Sequence, residues 1–106
     1  MTLGDFEQFV LLAVLRLTPN AYGAAIHREI EKRTGRDPAI AAVYTTLDRL
    51  EKKGLLRSWT GEPTPERGGR SKKFYALEAV GAEALAQSYQ RFRDMVAGLE
   101  RLLEKP

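Results

Sequence analysis

A run of basic residues near the middle of the chain is the clearest chemical feature of the sequence. Between positions 57 and 73 there are five basic side chains and two acidic ones, Glu62 and Glu66. Their balance of +3 equals the formal net charge of all 106 residues, so the remainder of the chain is electrically neutral. Basic groups beside flexible glycines suit a nucleic-acid backbone, because each neutralised phosphate releases counterions. The basic residues are Arg57, Arg67, Arg70, Lys72 and Lys73.

A second set of candidate contacts lies on a helix predicted from Asp37 to Lys53, with Asp37 as N-cap and Pro38 in the first turn. Its inward stripe is Ile40, Val43, Tyr44, Leu47 and Leu50. Its outer side carries Ala41, Ala42, Thr45, Thr46 and Arg49. Small residues allow close approach to a DNA groove, and Thr and Arg side chains match base edges or phosphate. A solvated face explains these residue types equally well. Tyr44 is expected to bury its ring and to present its hydroxyl to a phosphate.

Catalytic and metal-binding chemistry has little support in the sequence. The chain has one histidine, His27, and no cysteine. It also lacks a phosphate-binding glycine loop and a carboxylate pair flanked by apolar residues. His27 is interpreted as a partly exposed helix residue. We therefore expect neither an enzyme nor a bound cofactor or metal ion.

Length and composition limit the remaining possibilities. A chain of 106 residues with 43% hydrophobic content allows one domain with one core. The absence of cysteine is compatible with the cytoplasm, where we expect the protein. The longest apolar run, Phe9 to Leu15, is too short to cross a bilayer and follows an acidic start. Neither a membrane segment nor a signal peptide is expected.

The elements that would position these residues follow in a recognisable order. Apolar spacing predicts a first helix over Asp5 to Leu17 and a second from near Tyr22 to a left-handed cap at Gly35. The predicted third helix follows. Aromatic and branched residues predict strands at Leu55 to Thr60 and Lys72 to Leu77. The Gly- and Pro-rich connection between the strands, Gly61 to Ser71, is long for a hairpin and resembles a wing.

This order is that of a winged helix-turn-helix, a mostly α fold with a small β-hairpin (α+β). In that fold the third helix enters the major groove, and the hairpin loop, the wing, contacts the backbone or minor groove. We assign residues 1–77 to the DNA-binding domain and residues 78–106 to a C-terminal dimerisation helix in the same compact unit. The alternative for the basic hairpin is a solvated edge whose lysines discourage aggregation.

The C-terminal part of the chain carries a pattern typical of helix pairing. No proline occurs from Ala79 to Glu104, which predicts one long helix. Its apolar residues alternate steps of four and three, as in a helix that packs along a partner. The first helix is apolar around much of its circumference, so a second copy would cover part of it. Gly98 indicates a bend or a close helix crossing. The stripe, here called the seam, is Leu85, Tyr89, Phe92, Val96, Leu99 and Leu103.

Several segments together resemble the PadR-like transcriptional regulators. The resemblance rests on Tyr22-Gly23 with Ile26, the run from Val43 to Leu56, and Lys73 to Leu77 followed by Gly81 and Leu85. The run from Val43 to Leu56 is shared with other winged-helix repressors. The apolar first helix, the Tyr-Gly pair and the single helix after the wing favour the PadR-like family.

The resemblance implies a homodimeric repressor whose C-terminal helix packs against the partner's first and C-terminal helices. It places Phe6, Phe9 and Val10 at that interface together with the seam. Two positions depart from the family pattern. The residues before Tyr44 lack the usual hydroxyl group, which puts one phosphate contact in doubt, and Glu78 replaces a threonine that would cap the next helix better.

The functional expectation is a repressor that binds double-stranded DNA as a homodimer on an inverted-repeat operator. A small aromatic effector is a further possibility, with Tyr89 and Phe92 lining its space, although aromatic residues at this spacing are more often core. Trp59 is expected to pack beneath the wing or against the long helix. One alternative is a winged-helix repressor of another family, such as the penicillinase-repressor type. Another is a winged-helix module that docks a protein and does not bind DNA.

Overall fold

The computed structural model of the chain describes residues 2–63 and 71–104. The fold class predicted above is confirmed, since most described residues are helical and the two strands form an antiparallel sheet. None of the helices in these ranges is long and apolar enough to span a membrane. The elements are α1 (Asp5–Leu17), α2 (Gly23–Thr34), α3 (Ile40–Lys52), β1 (Leu56–Pro63), β2 (Ser71–Leu77), α4 (Ala79–Val96) and α5 (Glu100–Leu103).

The core lies between the first three helices and the inner face of the hairpin. Its largest fully buried side chains come from every one of these elements except β2, which adds Tyr75 at 4% exposure. Burial of this apolar surface is what holds α1 to α3 together. The fully buried residues include Val10, Leu11, Ile26, Leu47, Leu50, Leu55 and Leu56.

The third helix begins later than the sequence predicts. Its N-cap is Ala39, which makes no side-chain capping bond, so Asp37 and Pro38 precede the helix. The reason is a tertiary contact, because the Nε2 atom of His27 lies 2.8 Å from the carbonyl oxygen of Pro38. The same Nε2 lies 3.3 Å from Asp37 Oδ1. His27 thus connects α2 to the turn that precedes α3.

The hairpin is longer than predicted, and a short segment before α2 pairs with its second strand. Its register runs from Leu56 opposite Leu77 to Thr60 opposite Lys73, with an irregularity before the last pair. The backbone N–H of Tyr75 donates to the Ala21 carbonyl at 2.8 Å, so the residues before α2 lie along β2. The predicted wing residues Arg67 and Arg70 lie outside the described residues.

The single C-terminal helix predicted over 79–104 is wrong. α4 ends at Val96, and Gly98 adopts a φ of +89°, which L side chains rarely adopt. The backbone N–H of Gly98 donates to Glu100 Oε1 at 2.9 Å, and α5 follows as a separate turn. Gly98 therefore ends one helix and redirects the chain into the next.

The start of α4 is packed tightly onto the rest of the protein. The Glu78 N–H donates to the Leu55 carbonyl at 3.0 Å, and a Cβ at Gly81 would overlap with that carbonyl. Ala84 and Leu85 complete the buried part of α4. Beyond them most side chains are exposed, and the molecule measures 50 × 30 × 21 Å.

Candidate nucleic-acid interface

The exposed face of α3 retains most of the predicted contact residues. Ala41, Ala42, Thr45 and Arg49 are all exposed, as a groove-binding face requires. Thr46 does not lie on the outer face that the sequence predicts, since it is only 4% exposed. Helical geometry explains it, because position 46 lies one turn from the buried residues Val43 and Leu50. The remaining outer residues provide a surface of small side chains that can approach a DNA groove closely.

Tyr44 is not part of the inward stripe that the sequence predicts. Its side chain is 49% exposed, and its ring lies directly over Gly23 at the start of α2. A Cβ at position 23 would overlap with the ring and hydroxyl of Tyr44. This contact gives the Tyr22-Gly23 pair a physical reason, because only glycine leaves room for the Tyr44 side chain. Ile40 likewise lies outside the core, at 45% exposure.

Arg49 has an acidic neighbour on the first helix. Its Nη1 atom lies 4.0 Å from Glu7 Oε2, and Lys53 Nζ lies 2.9 Å from the same oxygen. The other oxygen of Glu7 accepts a 3.0 Å hydrogen bond from the Gly4 N–H and caps α1. Burial alone would raise the pKa of Glu7, but these hydrogen bonds and the charges of Lys53 and Arg49 lower it below its ordinary value of 4.5.

Glu51 connects α3 to both strands of the hairpin. Its Oε2 atom accepts a 2.6 Å hydrogen bond from Ser58 on β1, and its Oε1 atom lies 3.5 Å from Lys73 Nζ on β2. Tyr75 lies beside this contact, and burial together with the charge of Glu51 raises its pKa to about 12. Tyr75 is therefore neutral at any physiological pH. Glu51 is not among the predicted site residues, although its carboxylate connects the two predicted DNA-binding elements.

The positive charge counted along the hairpin is partly neutralised in the fold. Arg57 Nη1 lies 2.9 Å from Glu78 Oε1 and donates to the Leu77 carbonyl, so it joins the hairpin to α4. Lys73 is paired with Glu51. Lys72 Nζ lies 6.0 Å from the centre of the Tyr22 ring, a cation–π distance. Among the described basic residues of the hairpin, Lys72 is therefore the one that lies over Tyr22, the N-cap residue of α2.

Trp59 packs within the hairpin instead of against the C-terminal helix. Its ring stacks on Phe74 of the opposite strand, with centroids 6.1 Å apart and an angle of 18°. Phe74 in turn meets Tyr22 edge to face at 5.6 Å. Gly61 permits this arrangement, because a Cβ there would overlap with the Phe74 ring. The aromatic stack stiffens the hairpin on the side away from Glu51.

The predicted dimer residues of α1 need one correction. Val10 is fully buried in the core of its own chain and cannot contact a partner. Phe6 and Phe9 are partly buried and lie beneath Arg36, whose guanidinium carbon is about 6 Å from each ring centre. The exposed apolar residues of α1 are instead Leu12 and Leu15, which the predicted interface omitted.

The predicted seam is also changed by the break at Gly98. Leu85 is buried against its own chain, and Leu99 and Leu103 lie beyond the end of α4. Tyr89 and Phe92 remain as exposed aromatic residues, at 61% and 68%, with Val96 half-buried beside them. Met95 is exposed as well. The part of the seam that α4 leaves accessible therefore consists of Tyr89, Phe92 and Val96, and Leu99 and Leu103 are exposed beyond the end of that helix.

Concave regions and one group of potential metal ligands also lie on the described part of the chain. A groove of about 180 Å³ lies between α1 and α2, lined by Phe9, Leu12, Ala13, Arg16, Glu29, Ile30, Arg33 and Thr34. A more open hollow of about 450 Å³ follows α4 and includes Tyr89 and Phe92. Donor atoms of His27, Glu31 and Asp37 lie within 4.8 Å of one another. Both carboxylates are exposed, and His27 contacts Pro38 and Asp37 in the turn before α3.

Comparison with known proteins gives a consistent result. The profile of the family described as "Transcriptional regulator PadR-like family" matches residues 11–87. A protein of Lysinibacillus sphaericus of uncharacterised function is 24% identical over 103 residues, which cover 95% of this chain and 90% of that protein.

Solved structures resemble the whole fold. A PadR family regulator of Eggerthella lenta is 25% identical, with 93% of this chain and 84% of that chain covered and a TM-score of 0.68. RosR of H. salinarum is 25% identical, with coverage of 91% and 79% and a TM-score of 0.70. A PadR family regulator of Clostridium difficile superposes with a TM-score of 0.71 at 22% identity, over 94% of this chain and 100% of that chain.

Proposed function

Because the chain belongs to the transcriptional regulator PadR-like family, we propose that it represses transcription by binding a specific duplex DNA sequence as a homodimer. Family membership removes the penicillinase-repressor type from consideration. We assign the DNA-binding role to residues 1–77 and the pairing role to residues 78–106. This function requires no catalytic group. We place the protein in the cytoplasm.

The observation that supports DNA binding best is the coupling of α3 to the hairpin. α3 exposes Ala41, Ala42 and Thr45, and Glu51 holds both strands against the same helix. A rigid pair of this kind would insert α3 into the major groove while the wing follows the phosphate backbone. We assign base contacts to the exposed α3 face, and phosphate contacts to Tyr44, Lys72, Arg67 and Arg70.

Dimerisation is proposed from the apolar surfaces that one chain leaves exposed. Phe92 and Tyr89 on α4, with Leu12 and Leu15 on α1, are too many large apolar side chains for an isolated small domain to leave in water. Two copies related by a two-fold axis would cover them and present two α3 helices to successive major grooves. The operator is then an inverted repeat, with half-site centres about 10–10.5 bp apart or a multiple of this.

A small aromatic effector remains part of the proposal. The hollow along α4 contains Tyr89 and Phe92, and pairing of two copies would enclose it further. An aromatic compound held there would alter the distance between the two α3 helices. Titration of a preformed protein–DNA complex with a panel of aromatic compounds checks this, since an effector releases the DNA. If no compound releases the DNA, the protein is a repressor that does not respond to this class of effector.

DNA affinity measured at several salt concentrations tests the function directly. A protein that binds phosphates loses affinity steeply as salt rises, with a slope of about −0.9 per phosphate neutralised. We expect Arg70→Ala and Lys72→Ala each to reduce that slope by about one on every sequence tested. Glu83→Ala, on the exposed side of α4, is the matched control and should leave the slope unchanged. Affinity for duplex DNA no higher than for an uncharged polymer would favour the protein-docking module instead.

A further inference from the structure

One imidazole and two carboxylates meet between α2 and the turn that precedes α3. His27 and Glu31 are one helical turn apart on α2, so their side chains lie on the same face. Gly35 ends α2 with a φ of +75°, and the chain returns toward the helix and brings Asp37 Oδ1 to 3.3 Å from His27 Nε2. Donor atoms of the three side chains lie within 4.8 Å of one another. We call these three residues the turn cluster.

The distances around His27 match those between ligands that share one cation. Its Nε2 atom lies 2.8 Å from the Pro38 carbonyl oxygen and 3.3 Å from Asp37 Oδ1. Ligand atoms about 2.1 Å from a metal ion are about 3.0 to 3.4 Å apart at octahedral or tetrahedral angles. A neutral imidazole with its proton on Nδ1 presents the Nε2 lone pair, so the ion would replace the proton between Nε2 and the carbonyl. Glu31 is exposed, and its side chain is free to adjust to the ion.

The turn cluster also has an excess of negative charge. Within the part of the chain that the structure describes, neither Glu31 nor Asp37 forms an ion pair with a lysine or an arginine. Arg33 is paired with another carboxylate of α2, and Arg36 is turned toward aromatic rings of α1. A divalent cation would neutralise both carboxylates at once.

We propose that the turn cluster binds one divalent transition-metal ion such as Zn²⁺, with the Pro38 carbonyl as a further ligand. An imidazole among oxygen ligands suits such ions better than Mg²⁺ or Ca²⁺, which prefer oxygen alone. The inference rests on the proposed DNA binding and adds a regulator to it. Asp37 and Pro38 directly precede α3, so the ion would hold the start of that helix to α2 and strengthen DNA binding. The proposal departs from the sequence-based expectation of no metal ion, which rested on one histidine and no cysteine.

Calorimetric titration of the full chain, without a histidine tag, with ZnCl₂ gives the first test. We expect one ion per chain. Glu31→Gln and Asp37→Asn should each weaken binding about tenfold or more, since loss of a residue that only supports a ligand already costs about 10- to 100-fold. Both side chains are exposed, so both variants should fold as the unsubstituted chain does. Glu83→Gln is the matched control, because Glu83 is an exposed carboxylate on α4 outside the cluster, and it should bind zinc unchanged.

DNA affinity with and without the ion gives the second test. Addition of ZnCl₂ to metal-free protein should raise the affinity for one duplex about fivefold or more, as is usual for coupled binding sites. A chelator should reverse this gain, and Asp37→Asn should show no response to zinc. MgCl₂ at the same concentration should have no such effect on the unsubstituted chain.

The outcomes separate the metal site from DNA binding itself. Zinc bound by the unsubstituted chain and the control, but weakly by the two cluster variants, supports the site. The absence of zinc binding, or equal binding by all variants, overturns the site and leaves DNA binding intact. Zinc binding at the cluster with unchanged DNA affinity overturns the regulatory role. A chain that binds zinc at the cluster but no DNA under any condition contradicts the proposed function and not the site.

Discussion

At the scale of single residues, ion pairs formed on folding decide which cations are available to DNA. The sequence shows five basic residues in the hairpin, but Arg57 is paired with Glu78 at the N-cap of α4 and Lys73 with Glu51 on α3. The partner of Arg57 is 21 positions away, and the partner of Lys53 is 46 positions away. Charge counted along a sequence cannot reveal such pairs, because they depend on the packing of separate elements. The number of basic and acidic residues therefore predicts the sign of the hairpin's surface charge, but not which side chains carry that charge.

Neutralising Glu51 should strengthen the electrostatic part of DNA binding. Glu51→Gln retains an oxygen that can accept the hydrogen bond of Ser58 but removes the charge that attracts Lys73. With Lys73 released, log affinity should fall more steeply with log salt concentration, by about one unit of slope. Equilibrium binding to one duplex at several salt concentrations measures this. A slope equal to that of the unsubstituted protein would mean that Lys73 does not reach the DNA.

Glu7 should make the stability of the protein depend on pH. Its folded-state pKa lies below 4.5, so its stabilising interactions are fully present above that pH and are lost as the pH falls through the lowered value. Glu7→Gln should cost roughly 1 to 2 kcal/mol of unfolding free energy at pH 7. The difference between the two proteins should shrink as the pH falls below 4.5, because the unfolded chain then binds a proton that the folded protein takes up only at lower pH. Chemical denaturation at a series of pH values checks this, and a constant difference would contradict the role of the charge.

At the scale of elements, local sequence signals predict the structure where local interactions decide it. The limits of α1 and the glycine cap of α2 at Gly35 agree with the prediction, since both follow from apolar spacing and a left-handed glycine. The predicted cap of α3 is wrong because His27 binds the Pro38 carbonyl. The predicted C-terminal helix is wrong because Gly98 adopts a positive φ, which ends α4. Helix propensity counts glycine only as a loss of helix stability, so it does not predict this turn.

The two adjacent threonines of α3 provide a matched pair for the site. Thr45 is exposed and Thr46 is buried, although the sequence places both on the outer face. Thr45→Ala should change the preference for one base position and leave the unfolding free energy nearly unchanged. Thr46→Ala should lower that free energy by about 1 kcal/mol and leave the sequence preference unchanged. Binding to a set of duplexes with single substitutions, together with denaturation curves, distinguishes the two. The reverse pattern would mean that α3 presents a different face to DNA.

At the scale of the whole molecule, the described chain leaves an excess of large apolar side chains exposed, with Leu12 and Leu15 on α1 and Tyr89 and Phe92 on α4. The sequence reveals this excess through the spacing of Tyr89, Phe92 and Val96 and through the all-round apolar character of α1. The family resemblance placed Val10 at the partner interface, and helical periodicity could not correct this, because it does not tell which apolar face of α1 is turned inward. Packing against α3 and the hairpin decides that, and it leaves Leu12 and Leu15 outside.

Phe92→Glu should separate the proposed dimer. The substitution would place an unpaired charge in the buried centre of the seam, where its desolvation is costly. Because Phe92 is exposed in a single chain, the folded monomer should be little affected. Sedimentation should show a monomer, and circular dichroism should show unchanged helix content. A dimer of unaltered affinity would place the interface elsewhere, and an unfolded chain would show that folding and pairing are inseparable.

Selection of bound sequences from a pool of random duplexes tests most directly whether this PadR-family protein is a dimeric, sequence-specific DNA-binding regulator. We expect an inverted repeat whose half-sites are centred about 10–10.5 bp apart or a multiple of this, one for each α3. Phe92→Glu in the same selection should enrich at most a single half-site. Enrichment of an asymmetric site by the unsubstituted protein would contradict the dimer, and the absence of any enriched sequence would contradict specific DNA recognition.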